Sequence, residues 1–267
     1  MKYSSPSKGV RFNGGKGKCR GLVAVINSLL PENAVYHEPF CGSCKVVQSV
    51  RAARRIATDA DPYIICLLKA VQRGWDPPSS ISEAEYDRLH DEYRAGRGRA
   101  EYVYPLIAFA GYACSFGARF FEGYARSKKR TVNFAESGRT SLLRQRPFLE
   151  GVELAVADYR DPPPINPDVI YCDPPYQGTK DCGSVKGFDS VAFWDWAVKA
   201  ARRSTVLVSE YQCPIPDAVV LWEKDVAAGL RFGTKGDGGE KGDGRRKREK
   251  LFCLTPSAVR DVGLGLI

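Results

Sequence analysis

Val169-Ile170-Tyr171-Cys172-Asp173-Pro174-Pro175-Tyr176 is the stretch on which the reading of this chain turns. Its first four residues are apolar and strand-like, and an acid, two prolines and a tyrosine follow. A central strand cannot continue through two residues that lack N–H donors, so the strand stops here and leaves Asp173 and Tyr176 at its carboxyl end. In open α/β sheets that end is where ligands bind.

The neighbouring segments supply the rest of such a sheet. Val35-Tyr36-His37-Glu38-Pro39-Phe40-Cys41-Gly42-Ser43-Cys44 reads as a strand and a tight turn, with a helix expected over 45–53. Ile56-Ala57-Thr58 is a second strand ending in Asp59-Ala60-Asp61, ahead of an apolar helix over 63–71. An acid about 20 residues beyond a glycine turn is placed to accept hydrogen bonds from ribose hydroxyls, and Gly42 and Asp59 have that spacing. Residues 152–157 form a further strand ending at Asp158-Tyr159. Ser190 is expected to cap a helix through 203 that buries Phe193, Trp194, Ala197, Ala200 and Ala201. Strands at 205–209 and 251–254 complete the pattern, and the glycine- and charge-rich run 233–250 between them reads as a mobile loop. Near the start, Leu22, Val25, Ile26, Leu29 and Leu30 recur at helical spacing before Pro31. The preceding basic loop, Phe12-Asn13-Gly14-Gly15-Lys16, is read either as a glycine-rich tail or as a cradle for a carboxylate.

The rhythm changes over 74–150. Ser82-Glu83-Ala84-Glu85 has the pattern of a helix start, with the helix reaching Tyr93. Phe109, Tyr112, Phe116, Phe120, Phe121 and Tyr124 are expected in a core. Basic runs flank them, Arg97 and Arg99 on one side and Arg126, Lys128, Lys129 and Arg130 on the other. Positive charge bracketing an apolar lobe is what phosphate contacts need, so this insertion reads as facing nucleic acid.

Composition agrees. The 267 residues suffice for a full core, and 40 Lys and Arg against 31 Asp and Glu give a formal charge of +9, which favours polyanionic partners. No apolar run approaches the roughly 18 residues that span a bilayer, and no secretory signal is read at the start. Nine cysteines, an odd number scattered through apolar segments, suit reduced core residues of a cytosolic protein. Cys41 and Cys44 form a Cys-x-x-Cys, but with no second pair and only His37 and His90 as histidines, glycine-turn packing is the preferred account and no metal is assigned. Asp76-Pro77-Pro78 and Asp161-Pro162-Pro163-Pro164 read as plain loops, since neither has the apolar strand before it or the tyrosine after it.

These blocks, in this order, resemble the Dam-like, class alpha family of S-adenosylmethionine-dependent DNA adenine N6-methyltransferases. Phe12-Asn13-Gly14-Gly15-Lys16 resembles the family's aromatic-x-Gly-Gly-Lys loop. Glu38-Pro39-Phe40-Cys41-Gly42-Ser43-Cys44 resembles its Glu-Pro-Phe-x-Gly-x-Gly turn, Thr58-Asp59-Ala60-Asp61 its acidic strand end, and Asp173-Pro174-Pro175-Tyr176 its catalytic tetrapeptide. The resemblance implies an α/β fold: a Rossmann-like methyltransferase sheet with helices on both faces and an inserted, mainly helical target-recognition lobe. The catalytic domain would comprise 1–73 and 151–267, and the lobe 74–150. It implies S-adenosyl-L-methionine as cofactor, contacted by Phe12, Lys16, Glu38, Phe40, Gly42, Asp59, Asp158 and Asp173, with Asp59 on the ribose and Asp158 near the adenine ring. Asp173, Pro174, Pro175 and Tyr176 would be catalytic, double-stranded DNA the partner, and the cytoplasm the location, a host's if the gene is viral. The alternatives are methylation of cytosine N4 or of RNA adenine, or an inactive nucleic-acid-binding relative. The family's last turn glycine is Cys44 here, and if the backbone there needs a positive φ, a cysteine is strained.

Overall fold

The computed structural model describes residues 20–96, 105–126, 132–176, 187–226 and 247–255. Among these residues seven strands form one sheet: β1 (Val35–Glu38), β2 (Arg54–Asp59), β3 (Val152–Val156), β4 (Val169–Cys172), β5 (Thr205–Glu210), β6 (Val219–Val226) and β7 (Lys247–Leu254). Their order is β3-β2-β1-β4-β5-β7-β6. The first five run parallel, and β7 runs antiparallel between β5 and β6. Sequence order reverses between β1 and β4, so their carboxyl ends frame the crevice that a doubly wound sheet offers to ligands.

Both faces are covered by helices, which makes this a Rossmann-like α/β sheet. The helices are α1 (Arg20–Ser28), α2 (Pro62–Gln72), α3 (Glu83–Arg94), α4 (Pro105–Ala113), α5 (Phe134–Leu149) and α6 (Ser190–Ala200). Because side chains alternate along a strand, Val169 and Tyr171 of β4 join a core with α1 to α5, while Ile170 and Cys172 pack with Phe193, Trp194, Ala197 and Val198 of α6. All four β4 residues are buried, as the apolar run requires of a strand covered on both sides.

Local chemistry sets most helix starts. Asp61 accepts the backbone N–H of Tyr63 at 2.8 Å and of Ile64 at 3.4 Å, with Pro62 in the first turn of α2. Ser82 caps α3 by accepting the Glu85 N–H at 3.1 Å, as its sequence pattern predicts. On α6 the cap is Asp189, which accepts the Ala192 N–H at 3.0 Å, one residue before the expected Ser190; the helix ends at Ala200, short of 203.

Other expectations are corrected. No α-helix forms over 45–53; a turn leads into one 3-10 turn, Val47–Ser49, after which the chain is extended at Val50. Helix α5 went unread because Gly138 and Pro147 interrupt its pattern. Gly138 is what lets α5 approach α4 closely, since a Cβ there would lie 2.6 Å from the Ala113 Cβ. Phe116 is not core: it is 53% exposed at the start of a tight loop with positive φ at Gly117, Ala118 and Phe121. Residues 247–250 are not loop but the first half of β7, and β6 was unread altogether. There charge replaces apolarity, with Arg248 bridging Glu223 and Asp225 across the two strands. Among the described residues of 74–150, Phe109, Tyr112 and Phe121 belong to the same cluster as Tyr36 and Leu67.

Candidate functional site

The carboxyl ends of β1, β2 and β4 carry Glu38, Asp59 and Asp173. The turn after β1 is tied to the end of β2 through its backbone: the Cys41 N–H donates to the Thr58 carbonyl at 3.0 Å, and the Gly42 N–H to Asp59 Oδ2 at 2.8 Å. Asp59 Oδ1 accepts the Asp61 N–H at 3.0 Å. The Asp59 carboxylate thus organises two consecutive turns, and each oxygen keeps a further lone pair for a ligand. Burial pushes its pKa up to about 6, against which the two backbone N–H groups act.

Glu38 is 2% exposed and accepts the Tyr36 hydroxyl at 3.1 Å. Burial holds its carboxyl well above the usual range, and the nearby negative charges of Asp173 and Asp59 push the same way. Tyr36 was not anticipated as part of the site, although a tyrosine two residues before an acid on one strand shares its face. Phe40 packs into an aromatic group, stacked on Tyr159 at 5.3 Å and edge-on to Phe193 at 5.6 Å, and so anchors the turn to the α6 side of the sheet.

Gly42 has φ 46° and Cys44 φ 57°, so the cysteine does occupy a left-handed position. Such a conformation costs an L-residue about 1–2 kcal/mol. Cys44 is fully buried, and burial first, then its neighbour Cys44, holds the Cys41 thiol well above the ordinary range, which makes Cys41 a poor nucleophile. Cys44→Gly is therefore expected to be about 1 kcal/mol more stable than Cys44→Ala, because both lose the thiol's packing but only alanine keeps the strain. Denaturant unfolding of the two variants measures this.

At the end of β4, Asp173 and Tyr176 stay partly exposed while Pro174 is buried. The Tyr176 hydroxyl donates to Glu249 Oε1 at 3.2 Å, and its ring meets Tyr211 at 4.8 Å and 76°. Burial, then the charges of Asp173 and Glu249, hold the phenol protonated. Neither Glu249 nor Tyr211 was anticipated. Glu249 lies in a charged run with no strand signal, and Tyr211 carried only the hint of an aromatic following strand β5.

Asp158 and Arg126, also expected in the site, are each held by an ion pair. Asp158 holds Arg160, with Nε 2.7 Å from Oδ1 and the second guanidinium nitrogen 3.0 Å from Oδ2, and that hydrogen bonding lowers its pKa. Arg126 forms a bidentate pair with Glu83 at the start of α3. Phe12, Lys16, Arg97, Arg99, Lys128, Lys129 and Arg130 lie outside the described residues. Among the described residues no group of three or more His, Cys, Asp or Glu is arranged to hold a metal. A groove of about 480 Å³ along edge strand β3 is lined by His37, Thr58 and Pro162 to Pro164, and by none of Glu38, Asp59, Asp173 and Tyr176. Burial lowers the His37 pKa to about 4, so its imidazole is neutral.

Comparison with known proteins bears on this arrangement. No curated protein matches the chain. Among solved structures, the crystal structure of SMU.472, a putative methyltransferase complexed with SAH, aligns at a TM-score of 0.34 and 10% identity, covering 87% of this chain and 50% of that one; the chain spans about half the length of that protein. The family described as D12 class N6 adenine-specific DNA methyltransferase matches residues 12–202, a span holding the first-strand turn, the acidic second-strand end and the Asp-Pro-Pro-Tyr tetrapeptide. The chain belongs to the D12 class of N6 adenine-specific DNA methyltransferases.

Proposed function

We propose that the protein transfers a methyl group from S-adenosyl-L-methionine to N6 of an adenine extruded from double-stranded DNA, and that it does so in the cytoplasm. Asp173-Pro174-Pro175-Tyr176 at the topological switch point, beside two further strand-end carboxylates, is the observation that carries this reading. No helix among the described residues is long and apolar enough to cross a membrane.

The site suits the cofactor. Burial, then the charges of Asp173 and Asp59, raise the cost of ionising Glu38, and a ligand bearing sulfonium and ammonium charges relieves it. Glu38, Phe40, Gly42, Asp59 and Asp173 would hold it, with Phe12, Lys16 and Asp158 as further contacts and Asp59 receiving the ribose hydroxyls. When bound, the cofactor supplies an electrophilic methyl group. The adenine amine is a poor nucleophile because its lone pair is delocalised into the ring. The Asp173 carboxylate and the Pro174 carbonyl would each accept a hydrogen bond from N6, leaving the lone pair aimed for in-line transfer, and the proton that the methylated nitrogen then sheds would leave through Asp173 to water. This is orientation and electrostatics, and it needs no strong base. The prolines fix the direction of the carbonyl, and Tyr176 stacks on a base that must leave the duplex to be reached. The 74–150 segment is the target-recognition lobe, and its basic runs contact phosphates.

Incubation with methyl-labelled cofactor and unmethylated DNA tests the reading. Label is expected at N6 of adenine; label at cytosine N4, label only on RNA, or DNA binding without label would overturn it in favour of a named alternative.

The acidic turn also predicts a pH dependence. Asp59 carries its proton up to about pH 6 in the free protein against an ordinary value of 3.8. Ribose hydroxyls and a cationic ligand favour the carboxylate, so binding must expel that proton. Affinity for S-adenosyl-L-methionine is expected to rise with pH through about 6 and then level off. Calorimetric titrations from pH 5 to 8 follow the effect, and Asp59→Asn is expected to bind weakly with a flattened profile.

A further inference from the structure

Glu249 reaches the crevice because β7 runs opposite to β5. The ladder pairs Leu254 with Val206 at one end and Lys250 with Glu210 at the other. The next residue on β7, Glu249, therefore projects past the carboxyl end of β5, beside the end of β4 where the tetrapeptide lies. It is 7% exposed, a burial that a carboxylate tolerates only when hydrogen-bonded, and its Oε1 accepts the Tyr176 hydroxyl. Tyr211, immediately after Glu210, packs nearly perpendicular to the Tyr176 ring. The ring is thus held at its far end by Glu249, with the Asp173 carboxylate also hydrogen-bonded to the hydroxyl, and at its side by Tyr211.

We propose that Glu249 is a positioning residue of the methyl-transfer site, accepting the Tyr176 hydroxyl so that the ring is already oriented when the extruded adenine arrives. This rests on the methyltransferase reading above and extends it to the last strand of the sheet. A tyrosine whose hydroxyl loses its acceptor on β7 samples a wider range of orientations, and ordering it would fall on each turnover. An anchored phenol avoids that loss. The effect belongs to the reacting complex, so it lowers kcat while the cofactor Kd and the KM for DNA stay near their original values.

Five proteins test it: wild type, Glu249→Leu, Glu249→Gln, Tyr176→Phe and the double variant Tyr176→Phe/Glu249→Leu, which closes the cycle. Glu249→Leu is expected to lower kcat roughly 10- to 100-fold. Glu249→Gln, which keeps an oxygen acceptor, is expected to recover most of that loss. In the Tyr176→Phe background the leucine substitution is expected to have less than about a two-fold effect, because no hydroxyl remains to be held. A second readout is independent of activity. In protein labelled with ¹³C at the tyrosine ring carbon bearing the hydroxyl, the Tyr176 signal, identified by its loss in Tyr176→Phe, should shift in Glu249→Leu. An unmoved signal, an unchanged kcat, or an equal loss of kcat in both backgrounds would overturn the proposal. If the wild type transfers no methyl while the signal still shifts, the hydrogen bond stands but the methyltransferase reading fails, and the positioning role fails with it.

Discussion

Asp173→Ala is expected to reduce methyl transfer to DNA by at least about 10²–10³-fold, the scale seen when one preorganised hydrogen-bonding group is removed from a reacting centre. Asp173 ends a strand whose four residues are all buried, so the backbone that carries it is fixed by the sheet rather than by a loop. The alanine variant should therefore fold like the parent. What it loses is the acceptor that holds one N6 hydrogen, and with it the alignment of the lone pair. Filter binding or fluorescence anisotropy should show DNA affinity within a few-fold of the original, because the phosphate contacts are assigned to the inserted lobe. Labelled-methyl incorporation under the same conditions reads the rate. Parental turnover by Asp173→Ala would end the role assigned to this carboxylate. Asp173→Asn keeps one oxygen acceptor in place but no charge, and should fall between the two.

Asp59→Ala should weaken S-adenosyl-L-methionine binding by roughly 10- to 100-fold, and for a different physical reason. The carboxylate accepts one N–H from the glycine turn and one from Asp61. Removing it strands two part-buried donors at about 1–3 kcal/mol each, and the turn relaxes away from the geometry it holds beside β2. The ribose contact goes as well. Calorimetry gives the affinity, and thermal unfolding separates the two contributions, since a lost ribose contact alone leaves the melting temperature of the free protein unchanged. An affinity equal to the parent's would remove Asp59 from the cofactor site.

The parts of the protein that announced themselves share one property: their signals are local. Asp173-Pro174-Pro175-Tyr176 is legible because proline cannot continue a strand, and Ser82 because a cap acts three residues away. The fully buried strand β4 is legible from its unbroken apolar run. Cys44 is a partial case: the resembled family's glycine posed the question of a positive φ there, and only the structure answered it. What went unread is non-local. α5 is interrupted by Gly138, which exists for its approach to α4. The start of β7 is a charged tetrad that becomes strand only by pairing with Glu223 and Asp225 on β6. Phe116 shows the converse, an aromatic that the pattern places inside and a loop of left-handed residues turns out.

The same division runs through the site. Sequence alone determined which residues end the strands β1, β2 and β4, because hydrophobic pattern and turn chemistry act within a few residues, and it carried the family relationship with them. Only the tertiary structure decided what those residues do for one another. It made Asp59 the tie between two turns, occupied Asp158 with Arg160 and Arg126 with Glu83, and set Glu38 among like charges in a buried crevice. It also brought Glu249 to Tyr176 across 73 positions of sequence. No local pattern encodes that meeting, because it depends on one strand running antiparallel at the far side of the sheet.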